Sequence, residues 1–98
     1  MNLDPTVGSE IRKTRPAIIV SPDVLNNHLN TVVVVPLTTG RTYPFRIRTT
    51  VQGKAGVAAI DQIRTIDKAR LVKRITTLNK KTATQIQNAL VEMLTPQP

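Results

Sequence analysis

Apolar and β-branched residues fall in short runs along this chain, with one helical stripe at its end. Residues 17–21 (Ala-Ile-Ile-Val-Ser) and 32–35 (Val-Val-Val-Val) are continuous runs of strand length. Continuous rather than alternating runs predict strands covered on both faces. Residues 43–49 alternate instead. Phe45 and Ile47 belong to one face, and Pro44, Arg46 and Arg48 to the other. That is the pattern of a half-buried strand with a basic outer face. Residues 52–56 read as a turn, and residues 57–60 as another short buried strand. Residues 23–30, with Asp23, Asn26, Asn27 and Asn30, read as a connection holding at most a short turn of helix. Residues 70–78 mix two signals. Leu71, Ile75 and Leu78 have helical spacing, but Val72, Ile75, Thr76 and Thr77 are β-branched, and this decides for a strand. Asn79 is a good N-cap. After it, Ala83, Ile86, Leu90 and Met93 form one helical stripe, with Ala89 and Leu94 beside it. The sum is five or so short strands and a terminal helix. The expected class is α+β, mainly β: a small antiparallel, barrel-like sheet in one domain spanning residues 1–98. The helix is expected to bury its stripe against a sheet face or a second chain.

Charge changes this picture. Fourteen Lys and Arg against six Asp and Glu give a formal net charge of +8, spread through both halves. Such a surface favours a polyanion or an acidic protein partner. With only Tyr43 and Phe45 as aromatics, a broad base-stacking platform is excluded. The chain has no cysteine, which rules out disulfides and thiolate metal sites and is compatible with a reducing cytoplasm. Met1 to Pro5 carries no basic region followed by an apolar one, so no signal peptide is expected. No apolar run approaches the ~20 residues of a membrane span. His28 is the only histidine and lies in a polar connection, so it reads as a surface residue without metal-ligand spacing.

Three segments hold residue types suited to chemistry. The first is the polar stretch Gly8 to Pro16, which reads as a loop delivering Arg15 to the mouth of the first apolar strand. Pro16 suits a first strand position, and a residue before proline is pushed toward extended geometry. By spacing alone, Arg15 is either a solvated loop arginine or a guanidinium held for phosphate. The second is Val35 to Arg41, where a strand ends in Thr38, Thr39 and a turn glycine, Gly40. These hydroxyls either bond turn backbone or hold a phosphate oxygen. The third is Asp61 to Asp67, followed by Lys68, Arg70, Lys73 and Arg74. It is either a solvated basic face or a basic edge in which Asp61 or Asp67 braces Arg64.

Taken together and in order, these segments resemble the MazF/PemK toxin family of endoribonucleases. The matching text is Asp4 to Glu10, Lys13 to Ser21 with its Arg15-Pro16 pair, Val35-Pro36-Leu37-Thr38-Thr39, Tyr43-Pro44-Phe45, and Asp61 to Asp67. The resemblance implies an SH3-like barrel with a C-terminal helix, acting as a homodimer in the cytoplasm. It implies the toxin of a type II toxin–antitoxin pair, cutting single-stranded RNA, mRNA included, at short sequences without a metal or other cofactor. The products would be a 2′,3′-cyclic phosphate and a 5′-OH end. By the same resemblance Arg15 and Thr38 are the catalytic pair, and Glu10 is a contributing loop acid. Lys13, Thr39, Arg41, Gln62 and Arg64 are expected to contact RNA. The expected protein partner is an acidic antitoxin segment. One departure stands out. The family's usual opening strand, Gly-Asp-Ile-Trp-x-Val, is largely absent before Asn2-Leu3-Asp4-Pro5. A missing strand would expose a sheet edge. The alternative is therefore a truncated or inactive SH3-like module that binds antitoxin or nucleic acid without cutting.

Overall fold

The two continuous apolar runs become the middle of the sheet, for the reason their pattern suggests. In the computed structural model, β2 (Arg15–Ile19) and β3 (Thr31–Thr38) pair antiparallel, with Ala17 opposite Pro36, Ile18 opposite Val35 and Ile19 opposite Val34. Alternate residues of each run enter different clusters. Ile18, Val20 and Val35 join one core, and Ala17, Val32 and Val34 join another with Ile66. Both faces of these strands are therefore covered. The structure describes residues 7–11, 15–41, 44–51 and 53–96, and at 7–11, 15, 73 and 74 it describes the backbone alone.

The other strands are β1 (Val7–Ile11), β4 (Arg46–Val51), β5 (Lys54–Ala59), β6 (Arg64–Asp67) and β7 (Leu71–Thr77). The seven form one sheet in the order β4-β5-β3-β2-β1-β7, with β6 pairing β3 as well. Every pairing is antiparallel. A short helix, α1 (Asp23–Asn26), sits in the expected connection, and α2 (Lys80–Leu94) ends the described chain. The expected class, mainly β and antiparallel with a C-terminal helix, is the class observed.

Two strands were not anticipated. The stretch read as a loop from Gly8 to Pro16 contains β1 and the first residues of β2, so Glu10 lies in a strand. β1 stands between β2 and β7. β6 pairs with the first half of β3, Thr31 opposite Asp67 through Val34 opposite Arg64. The turn read at residues 52–56 is tighter: Val51 already faces Lys54, and Gly53 takes φ 78°. The strand read at 43–49 begins at Arg46, and Phe45 before it holds φ 64°. Such a backbone costs an aromatic residue ~1–2 kcal/mol. It is held in place where the Phe45 carbonyl accepts a bond from the Ile60 amide at 3.1 Å.

The helix forms as its sequence dictates. The Asn79 side chain accepts from the Thr82 amide at 2.8 Å, satisfying one orphan donor of the first turn. Ile86, Ala89 and Leu90 are buried against Ile18, Val35, Ala58 and Ile60. Leu94, placed beside the stripe by sequence, is exposed instead, as is Val91. No helix among the described residues is long and apolar enough to cross a membrane.

Candidate functional site

The β2–β3 ladder sets the geometry of the first two candidates. Continued by two residues in the same register, it brings Arg15, the first residue of β2, opposite Thr38, the last residue of β3. Directly opposed positions of an antiparallel pair stand ~4.5–5.5 Å apart and share a face of the sheet. Thr38 is half-buried and also faces Val57 of β5 on its other side. Val57 in turn faces Arg48 of β4. One cross-strand row therefore runs Arg15, Thr38, Val57, Arg48. It lies on the face opposite the helix, because the neighbouring Ile18, Leu37, Ala58 and Ile47 are the residues packed in the helix-covered core.

Strand termini are suitable places for this chemistry. The ladder fixes the backbone, while the residue at its end borders a loop and solvent. Here Pro16 follows Arg15, so the second residue of the strand has a preset φ. Thr39, Gly40 and Arg41 continue past Thr38, all exposed, with Gly40 at φ 134°. That conformation is open to glycine and lets the chain leave β3 directly after the threonines.

The remaining candidates are distributed unevenly. Ile11 stands opposite Arg15 in the β1–β2 ladder, and Glu10 stands opposite Pro16. Glu10 is thus one position out of phase with Arg15, and strand alternation assigns the two positions to different faces. Arg64 is exposed and lies opposite Val34, about 13 Å along β3 from Thr38 at the usual rise per residue. Gln62 is exposed in a 3-10 turn, Ile60–Gln62. Lys13 lies outside the described residues. His28 is exposed, as expected, with its Nδ1 2.9 Å from the Val24 carbonyl oxygen. Among the described residues, no group of three or more His, Asp or Glu side chains is placed to hold a metal.

Of the two readings of the Asp61 to Asp67 segment, exposed Arg64 fits the solvated face, and the Asp61 brace belongs to a different arginine. Arg46 donates from Nε to Asp61 Oδ1 at 2.6 Å and from a terminal nitrogen to Oδ2 at 3.0 Å, a bidentate pair. Asp67 accepts from the Ala69 amide at 2.8 Å, capping the 3-10 turn Lys68–Arg70. The β4–β5 hairpin explains the exchange. Its register sets Arg46 opposite Ala59, two residues before Asp61, whereas sequence proximity favours Arg64.

The hydrogen bond from Arg46 holds the Asp61 carboxyl below its ordinary pKa, against a small opposing effect of burial. A depressed folded-state pKa contributes stability above the unfolded value near ~4 and loses it as pH falls through the folded value. The Asp61 side chain is 44% exposed, so solvent screening keeps the effect small. Asp61→Asn is expected to lower the melting temperature slightly at pH 7. The gap from wild type should close as pH falls below ~4. A gap of the same size at pH 7 and pH 2.5, or none at either, would show that the pair does not stabilise the fold.

Comparison with known proteins supplies an independent line. A family described as PemK-like, MazF-like toxin of type II toxin-antitoxin system matches residues 1–94. The "Endoribonuclease toxin MazF" of Escherichia coli is 40% identical over 67 residues, which cover 67% of this chain and 60% of that protein. The "Endoribonuclease MazF" of Staphylococcus saprophyticus is 35% identical over 97 residues, covering 91% of this chain and 80% of the relative. Among solved structures, an endoribonuclease from Mycobacterial species superposes with a TM-score of 0.82 at 30% identity, covering 99% of this chain and 95% of that one. An endoribonuclease in complex with its cognate antitoxin, also from Mycobacterial species, gives 0.79 at 28% identity, covering 96% and 95%.

Proposed function

Because the chain belongs to the PemK-like, MazF-like toxin family of type II toxin–antitoxin systems, we propose that it is a toxin that cuts single-stranded RNA, mRNA included, at short sequences. The observation that supports this reading most is the β2–β3 register, which pairs Ala17 with Pro36 and, continued two residues further, sets position 15 opposite position 38. An arginine and a threonine at facing positions of a strand end are the residue types that suit a phosphate about to become more negative.

In the proposed reaction the ribose 2′-oxygen attacks the adjacent phosphorus. The bond from phosphorus to the 5′-oxygen of the next nucleotide breaks. The products are a 2′,3′-cyclic phosphate and a 5′-OH end. One proton leaves the 2′-OH and one reaches the 5′-oxygen. Arg15 would hold two non-bridging phosphate oxygens, and Thr38 would donate to one of them. Alignment for in-line attack and stabilisation of the developing charge are the two contributions these residues make. An arginine pKa above ~12 makes Arg15 a poor carrier of either proton. Glu10 is the carboxylate considered for that task, and its out-of-phase register position makes its share smaller than that of the pair. Thr39, Arg41, Gln62 and Arg64, with Lys13, would contact flanking RNA.

The same basic face suits an acidic, disordered antitoxin segment, which would compete with RNA. A relative of the same fold has been solved in complex with its cognate antitoxin, and this chain would pair similarly. A homodimer working in the cytoplasm completes the reading. The test is incubation of the purified protein with defined single-stranded RNAs in EDTA, followed by mapping of new 5′ ends. Cuts at a recurring short sequence, bearing 5′-OH ends, are expected. Gel shifts without cuts would instead identify a binding module.

A further inference from the structure

We propose that Arg48 is a second phosphate-holding position on the RNA backbone, separate from the phosphate that reacts. This rests on the nuclease reading for its ligand, and on registers of the described strands for its geometry. Thr38 and Arg48 both face Val57, from opposite sides of β5. The three positions therefore occupy one row on one face of the sheet. β4 alternates as a half-buried strand should, with Thr49 and Val51 buried and Arg48 and Thr50 exposed.

Arg46 shares that face, two residues from Arg48, but its guanidinium is already spent on both carboxylate oxygens of Asp61. Arg48 has no such partner among the described residues. Asp61 is engaged by Arg46, and Asp67 caps a turn through its own side chain. One arginine of the strand is thus structural, and its neighbour is left exposed, without a carboxylate partner among the described residues, on a chain of net charge +8. A flexible anionic strand that places one phosphate at Thr38 crosses this row.

Two interstrand spacings separate Thr38 from Arg48, about 10 Å. Arg15 already supplies the guanidinium for the phosphate at Thr38, so Arg48, two strands further along the row, is assigned a neighbouring one. A phosphate contact positions the strand and carries no base information. Loss of Arg48 should therefore weaken binding alike for all sequences and leave the chemical step untouched.

The test uses short 2′-O-methyl RNAs, which bind without being cut, titrated by fluorescence anisotropy at several salt concentrations. Arg48→Ala is expected to weaken binding several-fold and to flatten the plot of log K against log salt by about 0.7, the contribution of one single-strand phosphate contact. Arg48→Lys should keep the slope, and Lys81→Ala, on the exposed first turn of α2, should behave as wild type. In cleavage, Arg48→Ala should raise KM and leave kcat within about twofold. An unchanged salt slope would overturn the proposal. So would a loss of kcat matching that of Arg15→Ala, or a loss confined to binding of an acidic antitoxin peptide. Because the binding readout needs no cleavage, a wild-type protein that binds but never cuts would sink the nuclease reading and still measure this contact.

Discussion

Arg15→Ala and Thr38→Ala are each expected to lower RNA cleavage by about 10²-fold or more while the protein stays folded. The magnitude follows from what a preorganised donor contributes when charge develops on an oxygen: about 3–4 kcal/mol for one donor. Both residues sit at strand ends, Arg15 opening β2 and Thr38 closing β3, so neither truncation empties a core. Circular dichroism and melting temperature should accordingly change little. The two groups would act on one phosphate, so the double variant should lose less than the product of the single losses. Arg15→Lys should recover only part of the rate, since an ammonium offers a point charge rather than a planar fork. Glu10→Ala should cost less than either, because its register position is out of phase with the pair. Single-turnover cleavage of one defined RNA, with enzyme in excess, is the measurement. A near-normal rate from either purified alanine variant would remove the assignment.

How much of this was legible beforehand differs by element, for physical reasons. β2 and β3 announce themselves because four consecutive β-branched or apolar residues have no other stable use in a short domain. α2 does so through Asn79 and the stripe on Ile86 and Leu90. β7 is legible only by weighing β-branched content against helical spacing. β1 is not legible at all, since Val-Gly-Ser-Glu-Ile contains glycine and no clear alternation. It is a strand because β2 and β7 supply partners on both sides, which is tertiary context overriding local preference. The site divides the same way. Arg15 and Thr38 were named through a family resemblance, and nothing in the spacing of residues 15 and 38 sets them face to face. That apposition depends on the register of two strands joined by α1 and its flanking loops. The Arg46–Asp61 pair is invisible in the sequence for the same reason, and of the two readings open for the Asp61 to Asp67 segment, exposed Arg64 fits the solvated face.

The largest expected loss of stability comes from Ile86→Ala. Ile86 has no exposed surface and lies with Leu90 at the contact between α2 and the sheet, against Ile18, Val35 and Ile60. Removing its outer carbons loses their transfer from water and leaves a cavity that a rigid sheet closes poorly, about 2–5 kcal/mol in all. For a domain whose whole stability is about 5–15 kcal/mol, that is a large share. At about 4–8 °C per kcal/mol for a chain of this size, the melting temperature should fall by at least ~8 °C. Val91, on the same helix but 58% exposed, provides the control, and Val91→Ala should cost no more than ~0.5 kcal/mol. Urea titrations at one fixed protein concentration should show a lower midpoint for Ile86→Ala with an unchanged slope. Equal effects at the two positions would mean that α2 does not dock through this stripe. The variant also separates stability from chemistry. The helix covers one face of β2 and β3, whereas the row from Arg15 to Arg48 lies on the other, so the fraction of Ile86→Ala that remains folded should cut RNA at the wild-type rate. A rate that fell well beyond the folded fraction would mean that the helix-covered core sets the spacing of Arg15 and Thr38 across the sheet.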